Sequence, residues 1–182
     1  MRIIAGAAKG RRLQAPPGDD VRPTADRVRE ALFSSLQALL PGARVLDLFA
    51  GSGALGLEAA SRGAVGVTLV ERDRRTLAVL RDNVETVSLP GVAVISAAAQ
   101  TALAGALPGG PFDVVLADPP YRTPSDEVDA VLAALLRHLA PAAVIVVERD
   151  RRDLAPRWPE GLQAAEPRRY GNTVLHRADL LV

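Results

Sequence analysis

From Arg44 onward, short apolar runs alternate with segments of helical periodicity, and this alternation constrains the fold more than any other feature of the chain. Such a pattern is typical of a parallel sheet with helices packed on both faces. The runs are rich in Val, Leu and Ile, as strands covered on both sides should be. Strands are predicted at 44–49, 65–71, 92–96, 112–117 and 142–148, and helices at 53–62, 73–87, 99–105 and 125–139.

Smaller segments flank this unit. Residues 2–6 and 10–13 predict two short strands joined as an N-terminal hairpin. Thr24 is expected to cap a helix. The apolar face of that helix is predicted to carry Val28, Leu32, Leu36 and Leu39, with Phe33 beside it. Residues 168–175 contain a Gly-Asn pair that predicts a hairpin turn. The other expected caps are Asp73 and Ser125 at helix N-termini and Gly63 at a helix C-terminus.

The composition excludes several functional classes. With 182 residues, 48% of them hydrophobic and 24% charged, the chain has enough material for one full core. It has no cysteine, which excludes a disulfide framework and thiolate chemistry and fits a reducing, cytoplasmic compartment. His138 and His176 lie far from any cluster with ligand spacing, so we expect no metal site and place both histidines at the surface.

No segment predicts contact with a membrane. The N-terminal residues lack the apolar core of a signal peptide. Residues 86–112 carry no charge, but prolines, glycines and polar residues interrupt them, so we do not expect a membrane span there.

Charge is distributed unevenly along the chain. Lys and Arg outnumber Asp and Glu by 8 to 4 over residues 1–44 and by 7 to 5 over 149–182, whereas acidic residues lead by 12 to 7 between them. Basic ends around an acidic middle are suited to holding a polyanion at the ends while the middle does something else. A solvated surface in an arginine-rich protein explains the pattern equally well.

A glycine-rich loop follows the first predicted strand. Gly51, Gly53 and Gly56 fit the G-x-G-x-x-G spacing between a strand and a helix, and Glu71 ends the next strand twenty residues after Gly51. The glycines indicate a ligand that approaches the backbone closely, and spacing alone leaves a dinucleotide open. The structural alternative is a tight turn with an acid at a strand end and no ligand.

Asp47 separates the two cofactor hypotheses. It lies four residues before Gly51, near the carboxyl end of the same strand, where it would repel a pyrophosphate resting on the helix N-terminus. S-adenosylmethionine instead offers an ammonium and a sulfonium, which such a carboxylate attracts directly or through water. Glu71 suits either ligand, because paired ribose hydroxyls need an acidic acceptor. The pattern therefore favours S-adenosylmethionine.

Asp118, Pro119, Pro120 and Tyr121 follow the fourth predicted strand. Proline cannot donate to a sheet ladder and fixes φ, so the strand must end here in a stiff tip. Because ligands lie outside the carboxyl ends of parallel strands, we expect this tip to face the glycine loop. A carboxylate and a rigid carbonyl can accept both hydrogens of an exocyclic base amine and direct its lone pair, while Tyr121 stacks on the base. The alternative is a turn whose aspartate caps neighbouring backbone.

Together these motifs resemble one bacterial family over nearly the whole chain. They are R-I-I-A-G and K-G-R-R-L near the N-terminus, then R-P-T-A-D-R-V-R-E-A-L-F, D-L-F-A-G-S-G-A-L-G-L-E-A, V-E-R-D, A-D-P-P-Y and Y-G-N-T. In these motifs the chain is similar to the 16S ribosomal RNA guanine-N2 methyltransferases of the RsmD type. The glycine loop and D-P-P-Y occur in many amino-methyltransferases, whereas R-P-T-x-D-R-V-R-E is much more specific.

The resemblance implies a class I methyltransferase (Rossmann-like) fold of the α/β class. This fold has a seven-stranded, mostly parallel sheet of order 3-2-1-4-5-7-6, an antiparallel seventh strand and helices on both faces, extended here by the N-terminal hairpin. The implied cofactor is S-adenosylmethionine, and the implied target is one guanine of 16S RNA, 966 in the family's reference numbering. The implied partner is the small ribosomal subunit or its assembly intermediate, with neighbouring ribosomal proteins. Residues 1–22 would form a basic, RNA-facing arm and 23–182 the methyltransferase domain.

The same resemblance implies roles for individual residues. Cofactor binding falls to Asp47, Phe49, Gly51, Gly53, Glu71 and Arg72, and catalysis to Asp118, Pro119 and Tyr121. The resemblance places Arg22 and Thr24 near both the cofactor and the RNA. By their charge, the expected phosphate contacts are Arg2, Lys9, Arg11, Arg12, Arg27 and Arg29, with Arg122 and Arg168 as outside candidates. One departure concerns the adenine: related enzymes often have an acid just after the third strand, and residues 96–100 contain none. Backbone groups, Ser96 or Gln100 would have to substitute.

Three rival functions stay open at this point. An amino-methyltransferase acting on adenine in RNA or DNA fits D-P-P-Y equally well, although the chain has no segment that predicts a DNA target-recognition domain. A nicotinamide-dependent oxidoreductase fits the glycine spacing but leaves Asp47 and D-P-P-Y unexplained. A non-catalytic ribosome assembly factor would use only the basic arms.

Overall fold

The computed structural model of the chain describes residues 1–16, 23–120 and 122–181. The helices are α1 Pro23–Leu36, α2 Ala54–Ser61, α3 Arg74–Val87, α4 Ala99–Ala104 and α5 Ser125–Leu135, and a 3-10 turn covers Leu136–His138. The strands are β1 Arg44–Asp47, β2 Gly66–Glu71, β3 Val92–Ser96, β4 Phe112–Ala117, β5 Leu139–Asp150, β6 Leu162–Ala164, β7 Arg168–Tyr170 and β8 Thr173–Leu180.

The strands form one mixed sheet of order β3-β2-β1-β4-β5-β8-β6. Strands β1 to β5 pair in parallel, whereas β8 is antiparallel to both β5 and β6. This is the order that the resemblance implies, with β8 in the place of the seventh strand. The described sheet has eight strands rather than seven, because the hairpin turn at Gly171-Asn172 adds the short strand β7 to β8.

Each face of the sheet has its own apolar core. Helices α1, α2 and α3 cover one face, where Phe33 and Leu36 of α1 and Leu57 of α2 are fully buried. Helices α4 and α5 cover the other face through Leu103, Val131 and their neighbours. The alternation of strand and helix in the sequence is therefore realised as a three-layer arrangement, and the loops at the carboxyl ends of β1, β2, β4 and β5 meet at one edge.

Several helix boundaries differ from the predicted ones. Helix α1 begins at Pro23, whose fixed φ suits a first helical residue, so Thr24 lies inside the helix rather than at its cap. The helix stops at Leu36, which takes Leu39 off its apolar face and leaves it 40% exposed. Pro124 occupies the N-cap position of α5, so Ser125 does not cap it.

Two other caps are confirmed. Asp73 accepts a hydrogen bond from the amide of Thr76 at 2.9 Å and caps α3. Gly63 follows the C-cap of α2 with a φ of +104°, the left-handed region that favours glycine.

The boundary between the last helix and β5 differs from the predicted one. Helix α5 ends at Leu135, and β5 begins at Leu139, before the apolar run expected from 142. Leu139 pairs with Phe112, and the register then shifts before Val144 pairs with Val114. Pro141 and Ala142, which has a positive φ, lie in this irregular stretch. Proline is unusual inside a strand, so the sequence pattern did not predict that β5 begins before residue 142.

Both histidines are buried, contrary to the expected surface positions. His138 is 8% exposed, and its Nε2 lies 3.0 Å from the carbonyl oxygen of Leu103. His176 lies on β8 at 9% exposure, and burial together with the charges of Arg149 and Arg169 lowers its pKa. A backbone hydrogen-bond partner allows His138 to be buried, and a position on β8 beside β5 allows the same for His176. Neither feature can be identified from the sequence.

The N-terminal segment is bound to the α1-to-α3 face. Arg2 and Arg12 form one antiparallel bridge instead of two regular strands. The carboxylate of Glu58, which is fully buried, accepts hydrogen bonds from the amides of Ile4 and Ala5 at 2.7 and 3.1 Å. Gly6 has a φ of +84°, and a Cβ there would lie 1.8 Å from the carbonyl oxygen of Ser61. The segment thus belongs to the core, while its assignment as a separate RNA-facing unit ending at residue 22 stays a prediction.

Among the residues that the structure describes, no helix is long and apolar enough to cross a membrane.

Candidate active site at the strand ends

A cavity of about 760 Å³ lies outside the carboxyl ends of the central strands. The glycine loop and the end of β2 form one side of it through Phe49, Gly51, Glu71 and Arg72. Asp118, Pro119 and Pro120 line the opposite side together with Glu148. The structure therefore brings the two sequence motifs to one cavity, as the position of ligands in α/β sheets predicts. Arg22 and Tyr121 lie outside the described residues, and so does the side chain of Thr24.

Glu71 fixes the shape of the glycine loop. Its Oε2 accepts a hydrogen bond from the amide of Gly51 at 2.9 Å, across from β2 to the loop after β1. Its Oε1 accepts from the amides of Arg72 and Asp73, each at 2.8 Å. A carboxylate has about four lone-pair positions, so three amides leave acceptor capacity on a side chain that is already held in place. Gly51 itself has a φ of +55°.

The other two glycines face the core instead of the cavity. A Cβ on Gly53, whose φ is +83°, would lie 2.6 Å from Leu80 Cδ1. A Cβ on Gly56 would lie 2.2 Å from Leu69 Cδ2. Their smallness serves the turn and the packing of α2 on the sheet, and cofactor contact by Gly53 stays a prediction.

Asp47 lies beneath the loop rather than in the cavity wall. It is 1% exposed, and its Oδ2 accepts a hydrogen bond from the amide of Gly56 at 3.0 Å. Burial raises its pKa to about 7 and the charge of Glu71 contributes, against the amides of Gly56 and Phe49, which lower it. When ionised, Asp47 can attract a cation bound in the cavity by electrostatic interaction without touching it. Its hydrogen bond with Gly56 also holds the first turn of α2 in place.

The end of β4 and the neighbouring stretch of β5 carry two acids at adjacent positions. Ala117 pairs with Val147 in the parallel ladder, so Asp118 and Glu148 follow directly on adjacent strands. Such strands lie about 4.8 Å apart. Both residues line the cavity. The hydroxyl of Thr173 donates to Glu148 Oε1 over 3.5 Å, and burial raises the pKa of the Glu148 carboxyl.

Sequence reasoning missed Glu148. The available signal was its position at the end of the fifth predicted strand, but only the pairing of β5 with β4 shows that this end lies beside D-P-P.

Arg149 supports the segment after D-P-P from the other face of the sheet. Its side chain is 3% exposed, and Nη2 donates to the carbonyl oxygen of Thr123 at 3.1 Å. The same nitrogen lies 3.2 Å from a carboxylate oxygen of Asp153. A buried guanidinium with two oxygen partners holds the end of this loop in place.

The segment after β3 forms a third part of the cavity wall. Ala97, Ala98, Ala99 and Gln100 line it, whereas Ser96 is exposed and does not. The amide nitrogen of Gln100 donates to Glu127 Oε1 at 2.9 Å, and Glu127 also lines the cavity.

Most of the predicted RNA-contacting cations are accessible. Arg2, Lys9, Arg11, Arg12, Arg27, Arg122 and Arg168 are exposed. Arg29 is the exception, because it is 6% exposed and donates to Asp26 at 3.0 Å and to the carbonyl oxygen of Arg2 at 2.6 Å. Its guanidinium is engaged inside the protein and also lines the cavity, so contact of Arg29 with a phosphate stays a prediction. No group of three or more His, Cys, Asp or Glu side chains that could hold a metal ion occurs among the described residues.

The sheet order, the antiparallel β8 between β5 and β6 and the cavity at the strand ends define a class I methyltransferase fold. Comparison with known proteins agrees. A family model described as "Conserved hypothetical protein 95" matches residues 1–178, and the chain belongs to this family.

Three similar proteins illustrate the relationship. Ribosomal RNA small subunit methyltransferase D of Escherichia coli (strain K12) is 42% identical over 159 residues, which cover 87% of this chain and 79% of the relative. The solved structure of the putative methyltransferase yhhF from Escherichia coli superposes with a TM-score of 0.86 at 37% identity, covering 99% of this chain and 97% of that one. Magnesium protoporphyrin IX methyltransferase from Synechocystis PCC 6803, solved with bound SAM, shares the fold at 17% identity, with a TM-score of 0.70 over 89% of this chain and 82% of that one.

Proposed function

We propose that this protein transfers a methyl group from S-adenosylmethionine to the exocyclic N2 of one guanine in small-subunit ribosomal RNA. The guanine implied by the resemblance is 966 in the family's reference numbering. The name of the Escherichia coli relative supports ribosomal RNA as the substrate. The observation that carries the choice of guanine is the adjacency of Asp118 and Glu148 in the cavity wall. A ribosomal substrate implies action in the cytoplasm.

The cavity has groups that fit S-adenosylmethionine, which supplies an electrophilic methyl group on a sulfonium sulfur. The prearranged carboxylate of Glu71 would accept ribose hydroxyls. Asp47, buried below the loop, would attract the cationic end of the cofactor through its field. Gly51 would admit the ligand close to the backbone, since a Cβ there has no neighbour nearer than 4.0 Å.

Asp118 and the backbone of Pro119 would hold the target amine. An exocyclic amine delocalises its lone pair into the ring, and two acceptors for its hydrogens keep the nitrogen closer to the geometry that attack requires. The nitrogen gains a methyl group as the carbon–sulfur bond breaks, and it loses one proton, which Asp118 or water can accept. The stiffness of the two prolines keeps these acceptors in place. Stacking by Tyr121, a residue outside the described ranges, completes this proposal.

Glu148 favours guanine over adenine. Guanine presents N1–H and the N2 amine on the same edge, so two neighbouring acidic residues can accept from both. Adenine presents an acceptor at N1, which a carboxylate repels. The structure thus supports guanine in the comparison with the rival adenine methyltransferase.

The decisive experiment maps the methyl group. Small subunits that lack the modification are incubated with the purified protein and radiolabelled S-adenosylmethionine, and the product is located by mass spectrometry. We expect one methyl group on guanine N2 of the small-subunit RNA. A methyl group on adenine or on ribose would overturn the substrate assignment.

Glu148→Gln tests the recognition of the base in the same assay. This variant keeps the size of the side chain but replaces a carboxylate, which only accepts hydrogen bonds, with an amide that both donates and accepts. We therefore expect methylation of the guanine to fall about 10-fold or more. The dissociation constant of S-adenosylhomocysteine should stay within about twofold, because the cofactor groups are intact. Glu160→Gln, at an exposed position, is the matched control. Wild-type turnover in Glu148→Gln would remove the argument for guanine.

A further inference from the structure

A second cavity lies between helix α1 and the last strands of the sheet. Its volume is about 390 Å³. Leu32 of α1, Val146 of β5 and Leu175 of β8 give it an apolar floor, and each is at most 5% exposed. Arg168 and Arg177 line it as well. We call this cavity the α1 groove, and it combines an apolar surface with positive charge.

The α1 groove follows the active-site cavity along two shared walls. On α1, Arg29 lines the active-site cavity and Leu32 lines the groove. On β5, Glu148 lines the active-site cavity, and Val146, two residues earlier on the same face, lines the groove. Three residues of a helix advance about 4.5 Å and two residues of a strand about 6.6 Å. The two cavities are therefore neighbours along both walls.

Strand pairing fixes the position of Arg168 relative to the target-base site. Glu148 on β5 pairs with Leu175 on β8, and Leu175 pairs with Arg168 on β7. Directly paired residues point to the same face of a sheet, so these three form one row across the strands. Two strand spacings put the backbone of Arg168 about 10 Å from that of Glu148.

The charges of the α1 groove favour an anion at Arg168. Arg168 is exposed, and none of the ion pairs among the described residues includes it. Arg177 is instead paired with Asp179, another lining residue, at 2.9 Å. The remaining charge in the lining is the exposed carboxylate of Glu166. An anion in the groove would thus be attracted by Arg168 and repelled by Glu166.

We propose that the α1 groove binds a nucleotide next to the target base in the RNA, with its base on the apolar floor and its phosphate at Arg168. The proposal rests on the proposed function, because it needs an RNA whose target base enters the active-site cavity. A base taken out of its stack leaves its neighbours to be held by the protein. Apolar side chains and arginines are groups that hold unstacked bases and phosphates. The shared walls lead such a neighbour from Glu148 to the groove.

The first test measures RNA binding and needs no methyl transfer. The probe is protein-free small-subunit RNA transcribed in vitro, and filter binding gives its dissociation constant for the full chain and its variants. We expect Arg168→Gln to weaken binding about 3- to 10-fold and to reduce the salt dependence by about one phosphate contact. Glu166→Gln should strengthen binding about two- to threefold, because a charge that repels the phosphate is removed. Arg44→Gln is the matched control, at an exposed position where β1 begins, away from both cavities.

The second test fills the groove without removing a charge. Ala165 is exposed and lines the groove, so the indole of Ala165→Trp would occupy the space of the base. We expect RNA binding to weaken about 5-fold or more, and the KM for unmodified small subunits to rise by a similar factor. The dissociation constant of S-adenosylhomocysteine should stay within about twofold. Ala164→Trp, at an exposed neighbour outside the lining, is the matched control.

Thermal unfolding of each variant checks that the fold is retained. Wild-type RNA binding in both Arg168→Gln and Ala165→Trp would overturn the proposal, and so would equal losses in Arg168→Gln and Arg44→Gln. An effect that occurs with whole subunits but not with protein-free RNA would assign the groove to a ribosomal protein and overturn it as well. A methyl group mapped to adenine or ribose would instead overturn the substrate assignment of the proposed function, and the binding comparison would still decide the role of the groove.

Discussion

The two ends of the cavity use acidic residues in different ways. At the glycine-loop end, the carboxylates of Asp47 and Glu71 accept hydrogen bonds from backbone amides and give the loops their shape. At the D-P-P end, Asp118 and Glu148 are brought together by the register of β4 and β5. One end is therefore organised by hydrogen bonds from backbone amides to two carboxylates, and the other end by the pairing of two strands. Substitutions at the two ends should therefore have separable effects.

Asp118→Ala should produce the largest effect. We expect turnover to fall by about 10²- to 10⁴-fold, because an acceptor that positions the reacting amine is lost. The dissociation constant of S-adenosylhomocysteine should stay within about threefold, since the glycine-loop end is untouched. Methyl transfer to unmodified small subunits and calorimetry measure the two quantities. Equal losses in both would mean that the two ends are not separable.

Glu71→Ala should have the opposite profile. Three amides, those of Gly51, Arg72 and Asp73, lose their acceptor. We expect S-adenosylhomocysteine to bind about 10- to 100-fold more weakly, while turnover at saturating cofactor falls much less. Glu85→Gln, an exposed position on α3, serves as the control. A large loss of turnover at saturation, with affinity unchanged, would contradict the role of Glu71 at the cofactor end.

Asp47→Asn should change how stability depends on pH. Because the folded-state pKa of Asp47 is raised to about 7, folding favours its protonated form. Its contribution is complete below the unfolded pKa, near 4, and is lost as pH rises towards 7. At pH 8 the variant should gain about 1–2 kcal/mol in unfolding free energy, less than the full shift because the new amide hydrogens lack partners. Urea denaturation at pH 4.5 and pH 8 measures this, and an unchanged difference between the two pH values would contradict it.

The same variant should produce a smaller effect on ligand preference. An ionised Asp47 favours the sulfonium of S-adenosylmethionine over the neutral sulfur of S-adenosylhomocysteine. We therefore expect the affinity ratio of the two ligands to rise about three- to tenfold between pH 6 and pH 8 in the wild-type chain. The ratio should be nearly flat in Asp47→Asn, by calorimetry at both pH values. A rise of the same size in the variant would assign the effect to another group.

Much of the fold was readable from the sequence because its signals are local. The Val- and Leu-rich runs predicted four strands to within two residues, and Asp73 caps α3 as expected. The meeting of Gly51, Glu71 and Asp118 at one cavity followed from a general rule about the carboxyl ends of parallel strands.

Arg29 is buried although it carries a charge, because the carbonyl oxygen of Arg2, 27 residues away, accepts from it together with Asp26. His138 is buried because Leu103, on another helix, supplies an acceptor beside it. The carbonyl groups of Arg2 and Leu103 cannot be identified as partners from the neighbouring sequence.

The sequence by itself determined the alternation of the five parallel strands with their helices, the stiff D-P-P tip and the glycine loop, because backbone preferences and apolar periodicity act over a few residues. Only the tertiary structure decided that Glu148 lies beside Asp118, that Gln100 meets Glu127 and that Asp47 is covered by the loop. These pairings depend on strand register and helix packing, which bring together residues up to 30 positions apart in the chain. The two neighbouring acids that would select the base are products of that packing.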